Sequence, residues 1–543
     1  MLFRNSLGLV VCVTIILGTI LVAEPVQSAE SEAAGRLHVG WASVDITPEK
    51  PVPLVGFSSA RISTGVMDPI GATALVLESG GDDGAGDMAV LVSIDMVGVG
   101  NELQAMVREK VSHAVPEMDV EKIVLNATHT HCAPAYRTSP EMVEKLAKFG
   151  IEIPLAWSSF GIDLGVMSPI EYVEFAAGRI AGAVERAWKD RKPGGVSFGL
   201  GHAVVGHNRL MAYYDGTSRM YGPTDRPDFS HVEGYEDHSV GLLYTWDAKK
   251  KLTGVVINIA CPSQASGGSR ITADFWHETR NELRSRLGED LFILPQCSAA
   301  GDQSPVVMVG KKAESRMERL SQRDRRGQIA VRIADAVTSV LPYMEKHIDF
   351  KPVLAHRAEQ VELSRRMLSE EDIKTPRATH HRPQVESVEQ AFERLLGEYR
   401  KLREEIGKNP EVRKKPNWFG PISAVYWRLA RASRVLDRYE LQKTEPTMPV
   451  PVHVIRIGDV AIATNPFELY LDFGIQMKAR SKAVQTFVVE LAGGSGFGYL
   501  PTARSVAGGA YGAIPESTNI GPEGGRELVE RTLELIESLW ADE

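Results

Sequence analysis

Two histidines one residue apart, His129 and His131, sit in residues 125–134 (LNATHTHCAP), which open as an apolar strand. Residues i and i+2 of a strand share a face, so both imidazoles can enter one pocket. Such a pair is a common start for a metal site. It can equally hydrogen-bond a loop. Further chemistry-bearing residues recur where apolar runs stop. Cys261 follows GVVINIA, Asp274 and His277 follow soon after, and Cys297, Asp302 and Ser304 follow LFILP. Glu468 stands in NPFELY, and Tyr499 stands in a glycine-rich turn. Polar residues repeated at strand ends describe the rim of an α/β active site. Taken singly each is a cap or turn residue, and for Asp302 in Gly-Asp that is the better reading.

Several familiar sites are missing. HETRN is one residue short of the H-E-x-x-H zinc helix, and no G-x-S-x-G elbow occurs. GGSGFG lacks the Lys-Ser/Thr of a phosphate loop and the setting of a dinucleotide fold. A nucleotide enzyme and a standard serine hydrolase are therefore disfavoured.

The elements that must position these residues alternate in type. Residues 37–47, ATALVLES, MAVLVSIDMV and KIVLNATH read as strands, and NELQAMVREKVSHAV reads as a helix between the last two. SPIEYVEFAAGRIAGAVERAWKD is a longer helix. Ser168 and Glu171 form its capping box, Pro169 takes the first turn, and Val173, Ala177, Ile180, Val184 and Ala187 form its buried face. GVVINIA and LFILPQ are strands flanking a helix that stops at Gly288. Residues 356–445 become rich in Arg, Lys and Glu, with helical stretches at 385–406 and 422–441. Mixed charge makes a solvated helical hairpin the plain reading of this insertion. Strands return with VPVHVIRIGDVAIATN, and a helix over 525–540 follows. The fold class is α/β, with mixed central sheets flanked by helices and a helical-hairpin insertion.

The chain has 543 residues and a net charge of −9, which leaves no basic footprint for nucleic acid. Arg4, an apolar run over 7–22 and the small residues near Val26, Ser28 and Ala29 read as a secretory signal over 1–29, with an uncleaved anchor as the alternative. The expected location is periplasmic or secreted, with no membrane span after cleavage. Cys12 leaves with the signal. Cys132, Cys261 and Cys297 remain, too few for more than one internal disulfide.

ATHTHCAP, GDQSP, NPFE, the spacing of Tyr499 and Tyr511, and the opening VGWASVDITP…LVGFSS together resemble the neutral/alkaline (non-lysosomal) ceramidase family. The resemblance covers the catalytic portion, over 36–543, interrupted by the insertion; that family's C-terminal immunoglobulin-like domain is expected to be absent. It implies a zinc amidase acting on a small-molecule or lipid amide. By the resemblance, Zn2+ is held by His129, Glu468 and Tyr499. His131 stands near the water, Tyr511 contacts the reacting carbonyl, Arg209 of GHNRL helps hold the substrate, and Ser304 is structural. Where the family has its second zinc histidine, this chain has Cys261. That cysteine reads as a thiolate ligand, as a disulfide partner of Cys132 or Cys297, or as a small buried residue. In the last two cases His277 is the candidate for the missing ligand. Two rival functions stay open: a zinc-free hydrolase of an ester or sugar-linked amide using a thiol or Ser304, and a non-catalytic binding protein with a degraded metal site.

Overall fold

A computed structural model describes residues 37–80, 86–379, 382–494 and 498–541. The expected signal at 1–29 lies outside the described residues. Eight strands build the main sheet: β1 (Leu37–Asp45), β2 (Gly71–Ser79), β3 (Met88–Ile94), β4 (Ile123–Ala127), β5 (Lys192–His202), β6 (Ser239–Asp247), β7 (Leu252–Ile259) and β8 (Phe292–Cys297). Their order is β8-β7-β6-β5-β1-β2-β3-β4. The edge pairs β3–β4 and β7–β8 are parallel and the interior pairs antiparallel, which makes the sheet mixed. It curls until its two edge strands approach, with Asn126 Nδ2 donating to Pro295 O at 3.1 Å.

Alternation along these strands sends side chains to two faces. Ala72, Ala74, Val76, Val90 and Val92 meet helices α1 (Asn101–Ala114) and α2 (Pro169–Lys189). Tyr244, Val255 and Ile257 meet α3 (Phe275–Leu287) and α4 (Arg325–Met344). Leu75, Leu77, Leu91, Leu243 and Val256 point the other way, onto a second sheet. That sheet has strands β9 (Leu354–Ser364), β10 (Thr447–Ile457), β11 (Val460–Thr464) and β12 (Gln485–Val489), in that order. Its far face carries Val450, Val452 and Val454 and is covered by a closing helix, Pro522–Ser538. The result is two packed sheets between helical layers.

The capping box of α2 forms as its sequence implies, with Glu171 N donating to Ser168 Oγ and Ser168 N to Glu171 Oε2. The insertion differs from its reading in one respect. Residues 356–364 are not part of the helical hairpin but belong to β9, paired along its whole length with β10. The strand's alternation is present in the sequence but is masked by the charged residues on its open face. The helices of the insertion are α5 (Val388–Lys408) and α6 (Phe419–Leu441). They are not a solvated hairpin: Leu395, Tyr399, Tyr426 and Leu429 pack on Trp157 and Phe160 of the main body. No helix among the described residues is long and apolar enough to cross a membrane.

Candidate active site

The strands β4, β7, β8 and β11 deliver their C-terminal loops to one end of the sandwich. Backbone bonds stitch these loops together: Ser263 N to Thr128 O, Ser298 N to Ile259 O and Gly301 N to Leu469 O. Glu468 and Tyr499 are brought opposite each other by a short parallel pairing, Glu468–Leu469 with Tyr499–Leu500. Gly301 packs against that pairing so closely that a Cβ there would lie 2.4 Å from Glu468 O.

His129 does not continue β4. The strand ends at Ala127, and His129 takes a left-handed backbone with φ of 68°. A histidine held there costs on the order of 1–3 kcal/mol, a strain that collects at functional sites. Simple alternation is therefore not what aligns the two histidines. A turn does so, placing the rings 4.9 Å apart at 73°. His129 donates Nδ1–H to Val97 O at 2.6 Å, which leaves the Nε2 lone pair free. That Nε2 lies 3.5 Å from Glu468 Oε2 and 3.4 Å from His131 Nε2. Gly56, at φ 98°, lets its loop approach the His131 ring, where a Cβ would lie 2.6 Å from Cγ.

Burial alone would raise the pKa of Glu468. His129, Arg209 and a hydrogen bond with Tyr499 outweigh it, and the carboxylate is held at about 2. Burial pushes the Tyr499 phenol well above its usual range, and Glu468 adds to this. Burial, then His129, lowers His131 well below the usual histidine value, so it is neutral near pH 7. Arg209 sits 3.8 Å from Glu468 and donates to Gly301 O at 2.8 Å. Burial would depress its guanidinium, but Tyr221, Tyr499 and Glu468 keep it charged. Tyr511 stacks edge-on against Tyr499, ring centroids 5.8 Å apart.

His129, His131, Arg209, Glu468, Tyr499 and Tyr511 thus gather in one place, and Cys261 is not turned towards them. Its thiol donates to Val205 O at 3.4 Å and packs beside Phe275 and Trp276. Among the described residues Cys132, Cys261 and Cys297 are free, so the disulfide alternative is excluded. His277 opens α3 and accepts from Asn281 at 3.0 Å. Ser304 is fully buried and bonds with Tyr221 OH and Val306 N, with no imidazole at its hydroxyl. Asp302 is more than a turn residue: it accepts from Leu471 N and Asn208 Nδ2 and ties the Arg209 strand to the Glu468 loop.

Two residues escaped the sequence reading. Gln264 donates to His131 Nε2 at 3.0 Å and accepts from Arg209 at 3.3 Å. Tyr221 donates to Ser304 and lies beside Arg209. Gln264 stands three residues past Cys261, at a strand end of the kind that flagged the others; Tyr221 has no such signal.

Among the described residues no three His, Cys, Asp or Glu side chains form a metal cluster of that kind alone. The set here is mixed: an imidazole nitrogen freed by its bond to Val97, an ionised carboxylate and a phenol. The imidazole and the carboxylate are ordinary zinc ligand types, and the phenol beside them would supply a third, weaker oxygen donor.

Among the solved structures that match, two align along 93% of the chain, each with 17% sequence identity. One is a ceramidase complexed with C2, at TM-score 0.61 and 76% of its own length. The other is the neutral ceramidase of Pseudomonas aeruginosa, at TM-score 0.59 and 75%. The fold is ceramidase-like. No family model and no curated protein matches the sequence.

Proposed function

We propose that the chain is an exported, zinc-dependent, ceramidase-like amidohydrolase that cleaves an N-acyl amide. The observation carrying this reading is the convergence of His129 Nε2, Glu468 Oε2 and the Tyr499 phenol, with the first two 3.5 Å apart. The proposed ligands are these three, without Cys261. When bound, the ion would lower the pKa of a water and polarise the amide carbonyl. His131 is neutral and two residues beyond His129, so it accepts the water's proton as oxygen adds to the carbonyl carbon. In the free chain Gln264 donates to that same Nε2 and holds the ring in place, so the amide gives way to the water before the proton moves. Arg209 and Tyr511 donate to the developing oxyanion, each such donor being worth about 3 kcal/mol of barrier. The proton then passes to the departing nitrogen, the C–N bond breaks, and a carboxylate and an amine leave. The likeness to a ceramidase complexed with C2 supports a lipid amide as substrate.

The test is hydrolysis of a short-chain ceramide by the purified full chain, before and after a chelator, beside the matching ester. Cleavage of the amide that a chelator abolishes and zinc restores is expected. Chelator-resistant cleavage of the ester alone would overturn the reading and favour a zinc-free hydrolase.

A further inference from the structure

The helix Lys311–Ser321, between Ser304 and α4, presents the face that a surface helix normally hides. Ala313, Met317 and Leu320 recur at spacings of four and three, the stripe that a surface helix ordinarily buries. Here no residue of the helix is buried. Met317 is 48% exposed, Leu320 61%, and Val309 just ahead of the helix 59%. The helix meets the body through its carboxylates instead. Glu314 pairs with Arg332 of α4 at 3.4 Å, and Glu318 lies 3.5 Å from Arg325, also of α4.

The basic residues of the helix share the outward side. Lys311, Lys312, Arg316 and Arg319 are all exposed, and none of the four forms an ion pair among the described residues. Lys311, Lys312, Ser315 and Arg319 line one shallow surface groove. Around the helix this basic arc adjoins the apolar stripe, and the two carboxylates take the remaining sector, against the body. The unpaired positive charge stands in a chain of net charge −9. A single exposed Met or Leu is normal on any surface. Three aligned apolar residues beside four unpaired cations are a pattern, and it leaves unused the stabilisation that burial of Met317 and Leu320 would bring.

We infer that this helix docks the protein on an anionic lipid surface. Met317 and Leu320 enter the boundary between headgroups and acyl chains, and Lys311, Lys312, Arg316 and Arg319 meet the lipid phosphates. Such a surface offers negative charge and apolar depth side by side to a helix lying in its plane. A nucleic acid would take the cations and leave the apolar stripe in water. The inference stands apart from the amidohydrolase reading.

Co-sedimentation of the full chain with vesicles tests this, using phosphatidylcholine alone and an equal mixture with phosphatidylglycerol. Binding to the anionic vesicles that falls with added salt is expected, with less to the neutral ones. One basic residue near such a surface is worth about fivefold in binding, so Lys312→Gln with Arg316→Gln should weaken it about 25-fold. Leu320→Ser should weaken it about tenfold. Lys249→Gln with Lys251→Gln, in the exposed turn after β6, should bind as the wild type does. The apolar run over 7–22 is common to all these chains, so the differences among them report on the helix. Binding indifferent to both helix variants, or equal on neutral and anionic vesicles, overturns the inference. So does a chain that leaves vesicles alone but forms a Leu320-dependent dimer in sedimentation velocity, which assigns the stripe to a second copy. The readout needs no turnover.

Discussion

His129 and Tyr511 have separable jobs, and the side chains say how to separate them. With Nδ1 fixed on Val97 O, His129 would offer its freed Nε2 to the proposed ion. His129→Ala should lose metal and amidase activity together. Tyr511 reaches the site through Tyr499 and the carbonyl it would contact. Tyr511→Phe should keep the metal and lower kcat by about 10²–10³-fold; metal analysis beside kinetics checks both, and equal metal loss in the two variants would remove Tyr511 from its role. Cys261 makes a third case. Its thiol faces Val205 O, so Cys261→Ser should leave zinc content unchanged. A fall in zinc content would return it to the ligand set. At this scale the chemistry-bearing positions were legible because strand ends expose polar residues in order along the chain. The direction of each side chain was not. Ala127 ends the strand and His129 turns left-handed, which strand alternation does not foresee, and the Cys261 thiol bonds Val205 O instead.

The strands and helices carry their own consequences. His356 on β9 and His453 on β10 meet across the pair, Nε2 to Nδ1 at 3.0 Å, both buried. Burial lowers His356 to about 4 despite Asp87, and lowers His453 to about 3 with His356 adding repulsion. An unfolded histidine titrates near 6.5. Below that pH the unfolded chain binds protons that the folded one refuses, so stability is fully present above 6.5 and falls as the pH drops towards 4. One such group contributes about 3 kcal/mol of acid lability. Thermal melts from pH 7 to 4 should show His453→Leu losing less stability than the wild type over that window; parallel losses would place the lability elsewhere. The sequence placed β10 correctly but hid β9 inside a charged segment. Gln360 and Glu362 alternate with Val361 and Leu363 there, and the composition of the whole insertion outweighed that short alternation. The helices of the insertion were legible from their periodicity. The burial of Arg431 was not, because mixed charge usually marks a solvated face.

For the molecule as a whole, two sheets packed face to face bring loops from distant parts of the chain to one end. Glu468 is anchored by its pairing with Tyr499, and both are held against His129 by backbone bonds between the β4, β8 and β11 loops. Such convergence cannot be read from spacing; the resemblance to ceramidases suggested it, and a ceramidase-like fold at 17% identity accommodates it. The central claim is that this convergence holds a catalytic zinc. The most direct measurement is a zinc titration of the chelated full chain, following bound metal and hydrolysis of a short-chain ceramide in the same samples. The account predicts that both rise together and level off at one zinc per chain, and that neither rises in Glu468→Gln. Hydrolysis at full rate before any zinc is added, or zinc bound in full by Glu468→Gln, would contradict it.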